Sequence, residues 1–146
     1  MSTYVSDSGT ISTVASLIAG FSTTMLYFRI QRELTMQEAG EPNWIPWADR
    51  LLVIAAAVAM LLGVVPLLTF SVSSRVYVIL PPASCACASV FAAGYPLAIL
   101  AHYRFILGKK RRGPRENPEP AEKWIVAVTF VAAVAIFIWT AWSRLQ

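Results

Sequence analysis

The stretch LLVIAAAVAMLLGVVPLLTFSVSS, residues 51–74, contains no Asp, Glu, Lys or Arg. A helix needs about 20 apolar residues to cross roughly 30 Å of hydrocarbon, so this stretch is long enough to span a bilayer. Three further stretches share this property, and they cover residues 8–28, 76–103 and 124–143. The sequence therefore predicts an all-α integral membrane bundle in one transmembrane domain, residues 1–146, with helices at approximately 9–30, 51–72, 77–103 and 123–143.

The composition indicates the same class of protein. Of the 146 residues, 57% are hydrophobic and 14% are charged, and the mean hydropathy is +0.59. A soluble domain carries about 25% charged residues, so this chain is too apolar for a water-soluble core of its size. Four spans and their connectors leave little chain for a separate soluble domain.

The basic residues predict the orientation of the bundle in the membrane. Ten of the twelve Lys and Arg lie in the first and third connectors, and seven of these lie in the connector 104–123. The other two, Arg75 and Arg144, fall on the opposite side if all four stretches cross. Cytoplasmic loops carry the excess of Lys and Arg. We therefore expect a bacterial inner-membrane protein with both termini non-cytoplasmic and a cytoplasmic basic loop at 104–123.

Tryptophans mark the expected edges of the membrane. Trp44 and Trp47 precede the second span, Trp124 opens the fourth, and Trp139 and Trp142 close it. Tryptophan is enriched at the membrane–water interface, where its amphipathic ring suits the headgroup level. These positions are therefore predicted to be interfacial anchors.

Small residues recur every four positions in three of the spans. These rows are Ser12, Ser16, Gly20 and Thr24 in the first span, Ala55, Ala59 and Gly63 in the second, and Ser84 and Ala88 in the third. Small residues let helix backbones approach closely in lipid, so helix packing is the favoured interpretation, with each hydroxyl bonded to a carbonyl one turn earlier. The alternative is a pore lined by the first helix, which would need several copies of the chain. The fourth span has few polar groups and is predicted to be the most peripheral.

Prolines predict irregular helices in the second and third spans. Pro66 should bend the second helix and free a carbonyl near Leu62. The third span allows two geometries. Its helix either starts near residue 76 with a kink at Pro81 and Pro82, or starts at that Pro pair, with 71–80 as an external loop or partial re-entry. A kink is also expected near Pro96. The second geometry places proline where it costs least.

The cysteines and the one histidine do not predict a metal site. Cys85 and Cys87 are two residues apart on a helix and point to nearly opposite sides, so buried packing is favoured over a copper site. His102 has no partner nearby in sequence, and an interfacial role is favoured over a ligand or proton carrier. The sequence predicts no metal and no cofactor.

The four stretches lack charged residues, and this lack argues against several functions. Proton pumps and ion-coupled carriers place ionisable groups within the membrane. No catalytic motif is present either, so we expect that the chain is not an enzyme. A lipid-directed enzyme would require His102, Tyr103 and the basic loop to form a headgroup site, and it ranks last.

The basic loop is predicted to contact the membrane surface. Its cluster consists of Lys109, Lys110, Arg111, Arg112 and Arg115, which are expected to fix topology and to bind anionic lipid headgroups. No aromatic residue is interleaved with this run, so nucleic acid is not expected as a partner. The leading hypothesis is a non-catalytic membrane protein that acts by helix packing with partner membrane proteins or with itself. The alternative is a homo-oligomeric channel or pore-forming effector.

Overall fold

The computed structural model describes residues 3–40, 46–106 and 119–146, with side chains described from residue 8 onward. These parts of the chain form four helices and contain no strand. The helices are α1 (Thr3–Glu38), α2 (Asp49–Thr69), α3 (Arg75–His102) and α4 (Pro120–Ser143). Each is long and apolar enough to cross a membrane. The predicted all-α bundle of four candidate membrane-spanning helices is therefore confirmed.

Helix α1 is longer than the sequence predicts. It has 36 residues, a length of about 54 Å, and continues past residue 30 to Glu38. The added residues are mostly good helix formers, among them Arg32, Leu34 and Met36. The helix ends where Gly40 adopts a φ of 74° and its N–H donates to the carbonyl of Gln37, 3.0 Å away. Glycine tolerates this left-handed conformation at a helix end.

Helix α2 changes type in its middle. Asp49–Ala57 and Val65–Thr69 are α-helical, whereas Val58–Val64 is π-helical. The N–H of Val65 accordingly donates to the carbonyl of Met60, five residues earlier. Pro66 has no N–H to donate and cannot continue the regular ladder. The irregularity predicted at Pro66 thus includes a change of helix type in the two turns before it.

Helix α3 settles the two geometries left open for the third span. It begins at Arg75 and contains Pro81, Pro82 and Pro96 in its interior. The interpretation that the Pro pair forms the first turn, with 71–80 as an external loop, is wrong. Ser74 is the N-cap, and its hydroxyl accepts a hydrogen bond from the N–H of Val76, 3.3 Å away. This cap starts the helix before the prolines are reached.

Helices α2 and α3 lie at the centre of the bundle and pack extensively against each other. Helix α1 lies against α2 and α3, and α4 packs mainly on α3. The shared core includes Leu51 and Leu52 of α2, Phe91 and Tyr95 of α3, and Ala133 of α4. Only 11% of the most apolar part of α4 is buried, the smallest share among the four candidate spans. The prediction that the fourth span is the most peripheral is confirmed.

Candidate functional site

Charged side chains gather at one end of the bundle, where α1 and α3 end and α2 and α4 begin. We call this group the polar end cluster. Its members are Arg29, Arg32, Glu33, Asp49, His102, Tyr103, Arg104, Glu119 and Glu122. The four uncharged stretches contribute none of the Asp, Glu and Arg side chains of this cluster, but helices α1, α2 and α4 extend beyond their stretches and carry charged members of the cluster there.

The carboxylate of Glu122 lies at the centre of this cluster. The residue is fully buried, and its Oε1 accepts a hydrogen bond from the backbone N–H of Ala48, 2.8 Å away. Its Oε2 lies 2.8 Å from Nδ1 of His102, which is also buried. A carboxylate only accepts hydrogen bonds, so with Glu122 ionised the proton of this contact resides on Nδ1. Ala48 is the N-cap of α2 and offers no side-chain cap. Glu122 belongs to α4, and its carboxylate therefore accepts a hydrogen bond from a backbone N–H at the start of α2.

Arg29 joins the last third of α1 to the start of α2. Its Nη2 donates to Glu33 one turn later, at 3.2 Å, and its Nε lies 3.5 Å from Asp49. The Arg29 side chain is only 10% exposed, and that of Asp49 is 19% exposed. Because water reaches these groups poorly, each charge depends on its partner more than a surface pair would.

Arg104 and Glu119 connect the end of α3 to the start of α4. Their Nη2 and Oε1 atoms are 2.8 Å apart, and Glu119 is 2% exposed. Arg104 has a φ of 60°, in the left-handed region that L side chains rarely adopt. It follows the C-cap Tyr103, so the chain leaves α3 abruptly and brings the guanidinium to Glu119. This ion pair fixes the distance between the two ends of the basic loop.

Tyr103 links this region back to α1. Its hydroxyl accepts a hydrogen bond from Arg32, whose guanidinium carbon is 5.4 Å from the centre of the ring. The ring also meets the imidazole of His102 edge to face, with centroids 5.1 Å apart. The polar end cluster therefore consists of three neighbouring groups of contacts, which together involve all four helices.

The network pairs its acids internally. Every carboxylate in the cluster has a cationic or histidine partner within it. Among the described residues, no three His, Cys, Asp or Glu side chains group closely enough to hold a metal ion. The chemistry that this arrangement supports best is mutual neutralisation at the end of a helical bundle. His102 lies at the end of α3, where an interfacial role is predicted, and its imidazole is buried against Glu122.

The small-residue row of α1 lies outside the bundle. Ser16, Gly20 and Thr24 are exposed, and Ser12 is half-buried. A Cβ added at Gly20 would have no atom within 4 Å. The buried face of α1 is instead formed by residues seven positions apart, namely Ala15, Ser22 and Arg29.

The rows of α2 and α3 lie inside the bundle. All five of their predicted members, Ala55, Ala59, Gly63, Ser84 and Ala88, are buried. A Cβ at Gly63 would lie 3.6 Å from that of Ala15, so α1 and α2 approach closely there. The hydroxyl of Ser84 donates to the carbonyl of Leu80, 2.6 Å away, as expected for a packed membrane helix.

The remaining predicted residues divide between core, surface and undescribed chain. Cys85 and Cys87 are free and buried in apolar surroundings. The interfacial tryptophans of α4 are exposed, and Trp47 is half-buried, while Trp44 lies outside the described residues. The lipid-headgroup cluster Lys109, Lys110, Arg111, Arg112 and Arg115 also lies outside them.

One sequence signal could have located Glu122 in a helix. Pro120 suits the first position of a helix, and an acidic residue is favoured in the first turn, so the run from 119 to 122 reads as a helix start. No periodicity could have indicated that Glu122 meets His102, because the two residues lie on different helices.

The chain was compared with known proteins. No family model matches it, and no curated protein or solved structure matches it significantly.

Proposed function

We propose that this chain is a non-catalytic membrane protein that works by binding another membrane-spanning protein, or a second copy of itself, through the outward face of α1. The observation that carries the proposal is the exposure of Ser16, Gly20 and Thr24. This row lies roughly opposite the buried residues Ala15 and Ser22 on the helix. The outward face of α1 therefore carries small residues that suit close helix approach, and the helices of the bundle pack on the other face of α1.

The outward face of α4 carries bulky side chains, in contrast to the small residues on the outward face of α1. Its exposed side chains are bulky, for example Val131 at 68% exposure and Ile138 at 60%. Bulky apolar side chains fill space well against acyl chains, whereas glycine leaves a hollow beside the backbone. Two helices that place small residues against each other gain van der Waals contact that lipid does not supply as well. Helix α1 is thus favoured as the binding helix over α4.

A pore lined by the same row is the second candidate. It would use several copies, with Ser12, Ser16, Gly20 and Thr24 toward the lumen. The exposure of the row supports this function too. Two neighbouring hydroxyls favour packing, because Thr13 donates to the carbonyl of Gly9 at 2.9 Å and Thr23 to that of Ala19 at 2.8 Å.

The distribution of basic residues supports a bacterial inner-membrane location with both termini on the non-cytoplasmic side. In this orientation the polar end cluster lies at the cytoplasmic surface, beside the loop that carries seven Lys and Arg. Loops this rich in basic residues are retained in the cytoplasm.

Site-specific photocrosslinking in native membranes tests the binding proposal. A photoreactive residue replaces Leu17, which is 67% exposed next to Ser16. We expect an adduct with another membrane protein or with a second copy of the chain. Gly20→Leu should abolish the adduct because it fills the hollow. Ala135→Leu, which adds the same side chain to the exposed face of α4, should leave it unchanged.

The outcomes separate the two candidates. Recovery of only uncrosslinked monomer from the wild-type chain would contradict binding through α1. Ion flux through liposomes that contain the purified protein, blocked by Ser16→Leu, would favour the pore. A tight bilayer at high protein load would exclude it.

A further inference from the structure

Two cationic side chains from different helices meet on one tryptophan ring beside the polar end cluster. The guanidinium carbon of Arg50 lies 4.5 Å from the ring centre of Trp47, and Nζ of Lys123 lies 5.9 Å from it. Both distances fall within the range of cation–π contacts, about 6 Å. Arg50 belongs to the first turn of α2 and Lys123 to the first turn of α4. The ring therefore brings together charges that are far apart in sequence.

Neither cation is neutralised by an acid that the structure describes. The ion pairs among the described residues involve Arg29, His102 and Arg104, but not Arg50 or Lys123. Two like charges beside one ring repel each other, and the ring's quadrupole offsets only part of that repulsion. An anion close to either cation would offset this repulsion, so the local charge favours an anionic ligand.

A cavity of about 600 Å³ opens beside Trp47 and Arg50, and Lys123 reaches the ring of Trp47 without lining the cavity. It is lined by Pro46, Trp47, Asp49, Arg50, Val53 and Ile54. Asp49 adds little net negative charge, because it lies against Arg29. The lining changes along α2, from Trp47 and Arg50 at the start of the helix to apolar Val53 and Ile54 one turn further into the membrane span.

We propose that this cavity binds a phospholipid with an anionic headgroup. The headgroup lies against Trp47 and pairs with Arg50, the positive charge of Lys123 on the same ring adds to the attraction, and an acyl chain runs along Val53 and Ile54. A free inorganic anion would use the two cations but would gain nothing from the apolar part of the cavity. The cavity lies at the start of α2, with Lys123 of α4 beside it, so it does not depend on the binding function proposed for α1.

Native mass spectrometry of the purified, delipidated full-length protein tests this site. Phosphatidylglycerol is added in competition with phosphatidylcholine, and separately with an excess of inorganic phosphate. We expect the wild-type chain to retain phosphatidylglycerol in preference, and phosphate not to displace it. Arg50→Gln combined with Lys123→Gln should weaken retention by about fivefold for each cation removed. Arg75→Gln is the matched control, because this exposed arginine lies at the opposite end of the bundle.

Each alternative result would overturn the proposal. Equal retention of the two lipids would exclude charge recognition. Unchanged retention in the double variant would assign the binding to other basic residues, such as those of the loop. Displacement of phosphatidylglycerol by phosphate would show that the ligand is a small anion and not a lipid.

Exchanging the two cations, by Arg50→Lys with Lys123→Arg, preserves the charge. This variant should keep the preference for phosphatidylglycerol, and loss of that preference would also count against the site. Thermal unfolding with and without phosphatidylglycerol gives an independent readout, with a stabilising shift in the wild type that the Gln double variant lacks.

Discussion

The carboxylate of Glu122 binds Nδ1 of His102 at 2.8 Å, and both side chains are buried at the end of the bundle. The other oxygen of the same carboxylate binds the backbone N–H of Ala48. One side chain therefore connects the start of α4 to the end of α3 and to the start of α2. We interpret the pair as a structural connection, because each of these polar groups satisfies another in a place from which water is excluded.

Glu122→Ala should destabilise the protein severely. The substitution removes one partner of a buried pair and leaves the N–H of Ala48 and the imidazole of His102 without their acceptor. Breaking such a pair costs about 3–5 kcal/mol. Reversible unfolding by SDS in mixed micelles measures this loss. Glu38→Ala, at the exposed end of α1, is the control and should change the unfolding free energy by less than about 0.5 kcal/mol. A similar small effect at both positions would show that the buried pair contributes little.

Arg29 and Asp49 should be energetically coupled. Arg29→Gln leaves the poorly solvated Asp49 carboxylate without this cation, and Asp49→Asn leaves Arg29 with Glu33 but without its contact to α2, whereas the double substitution removes both charges. A double-mutant cycle on the unfolding free energy should therefore give a coupling of about 0.5–3 kcal/mol, as for residues in direct contact.

A second cycle provides the control for this coupling. Arg32 binds the hydroxyl of Tyr103 and forms no ion pair with Asp49 among the described contacts. Arg32→Gln combined with Asp49→Asn should therefore be nearly additive. Equal coupling in the two cycles would indicate a diffuse charge effect in place of the specific pair.

Gly94→Ala should separate α3 from α4. A Cβ at this position would overlap the side chain of Thr129. Alanine favours the helix over glycine by about 0.5–1 kcal/mol, but overpacking costs about 1–3 kcal/mol, so the net effect is destabilising. Thr129→Ala removes two of the three overlapping atoms and should partly restore stability to the Gly94→Ala variant. Gly20→Ala adds the same methyl group in open space, and a loss of stability there as large as at Gly94 would contradict this account.

The sequence predicts the four helices well because the absence of charge over about 20 residues is a strong requirement of the bilayer. The same criterion misplaces their ends. Asp49 and Glu122 each lie just outside a predicted helix, yet both lie within helices, and α1 continues past residue 30 to Glu38. Their charges are accommodated because other helices supply partners, and single-sequence reasoning does not contain that information.

The row of small residues on α1 shows a second limit of sequence patterns. A step of four residues turns about 40° around a helix, whereas a step of seven turns back by only about 20°. Residues seven apart therefore stay on one face, as Ala15, Ser22 and Arg29 do in the buried face of α1. The row from Ser12 to Thr24 drifts around the helix and leaves the bundle. Which face of a helix is buried depends on where its neighbours lie, and composition alone does not fix this.

The orientation predicted from the basic residues can be tested by cysteine labelling. In a background in which Cys85 and Cys87 are replaced by Ala, Ser73→Cys places a thiol in the exposed turn between α2 and α3. Gln37→Cys places one at the other end of the bundle, near the end of α1. Since cytoplasmic loops carry the excess of basic residues, Ser73→Cys should lie on the non-cytoplasmic side with both termini.

A membrane-impermeant maleimide on intact cells should therefore label Ser73→Cys, and it should label Gln37→Cys only after permeabilisation. The two exposed polar positions serve as each other's control for thiol reactivity. The reverse pattern would place the polar end cluster and the proposed lipid cavity in the non-cytoplasmic leaflet. Labelling of both positions on intact cells would be incompatible with α2 crossing the membrane, because Gln37 and Ser73 flank this one helix.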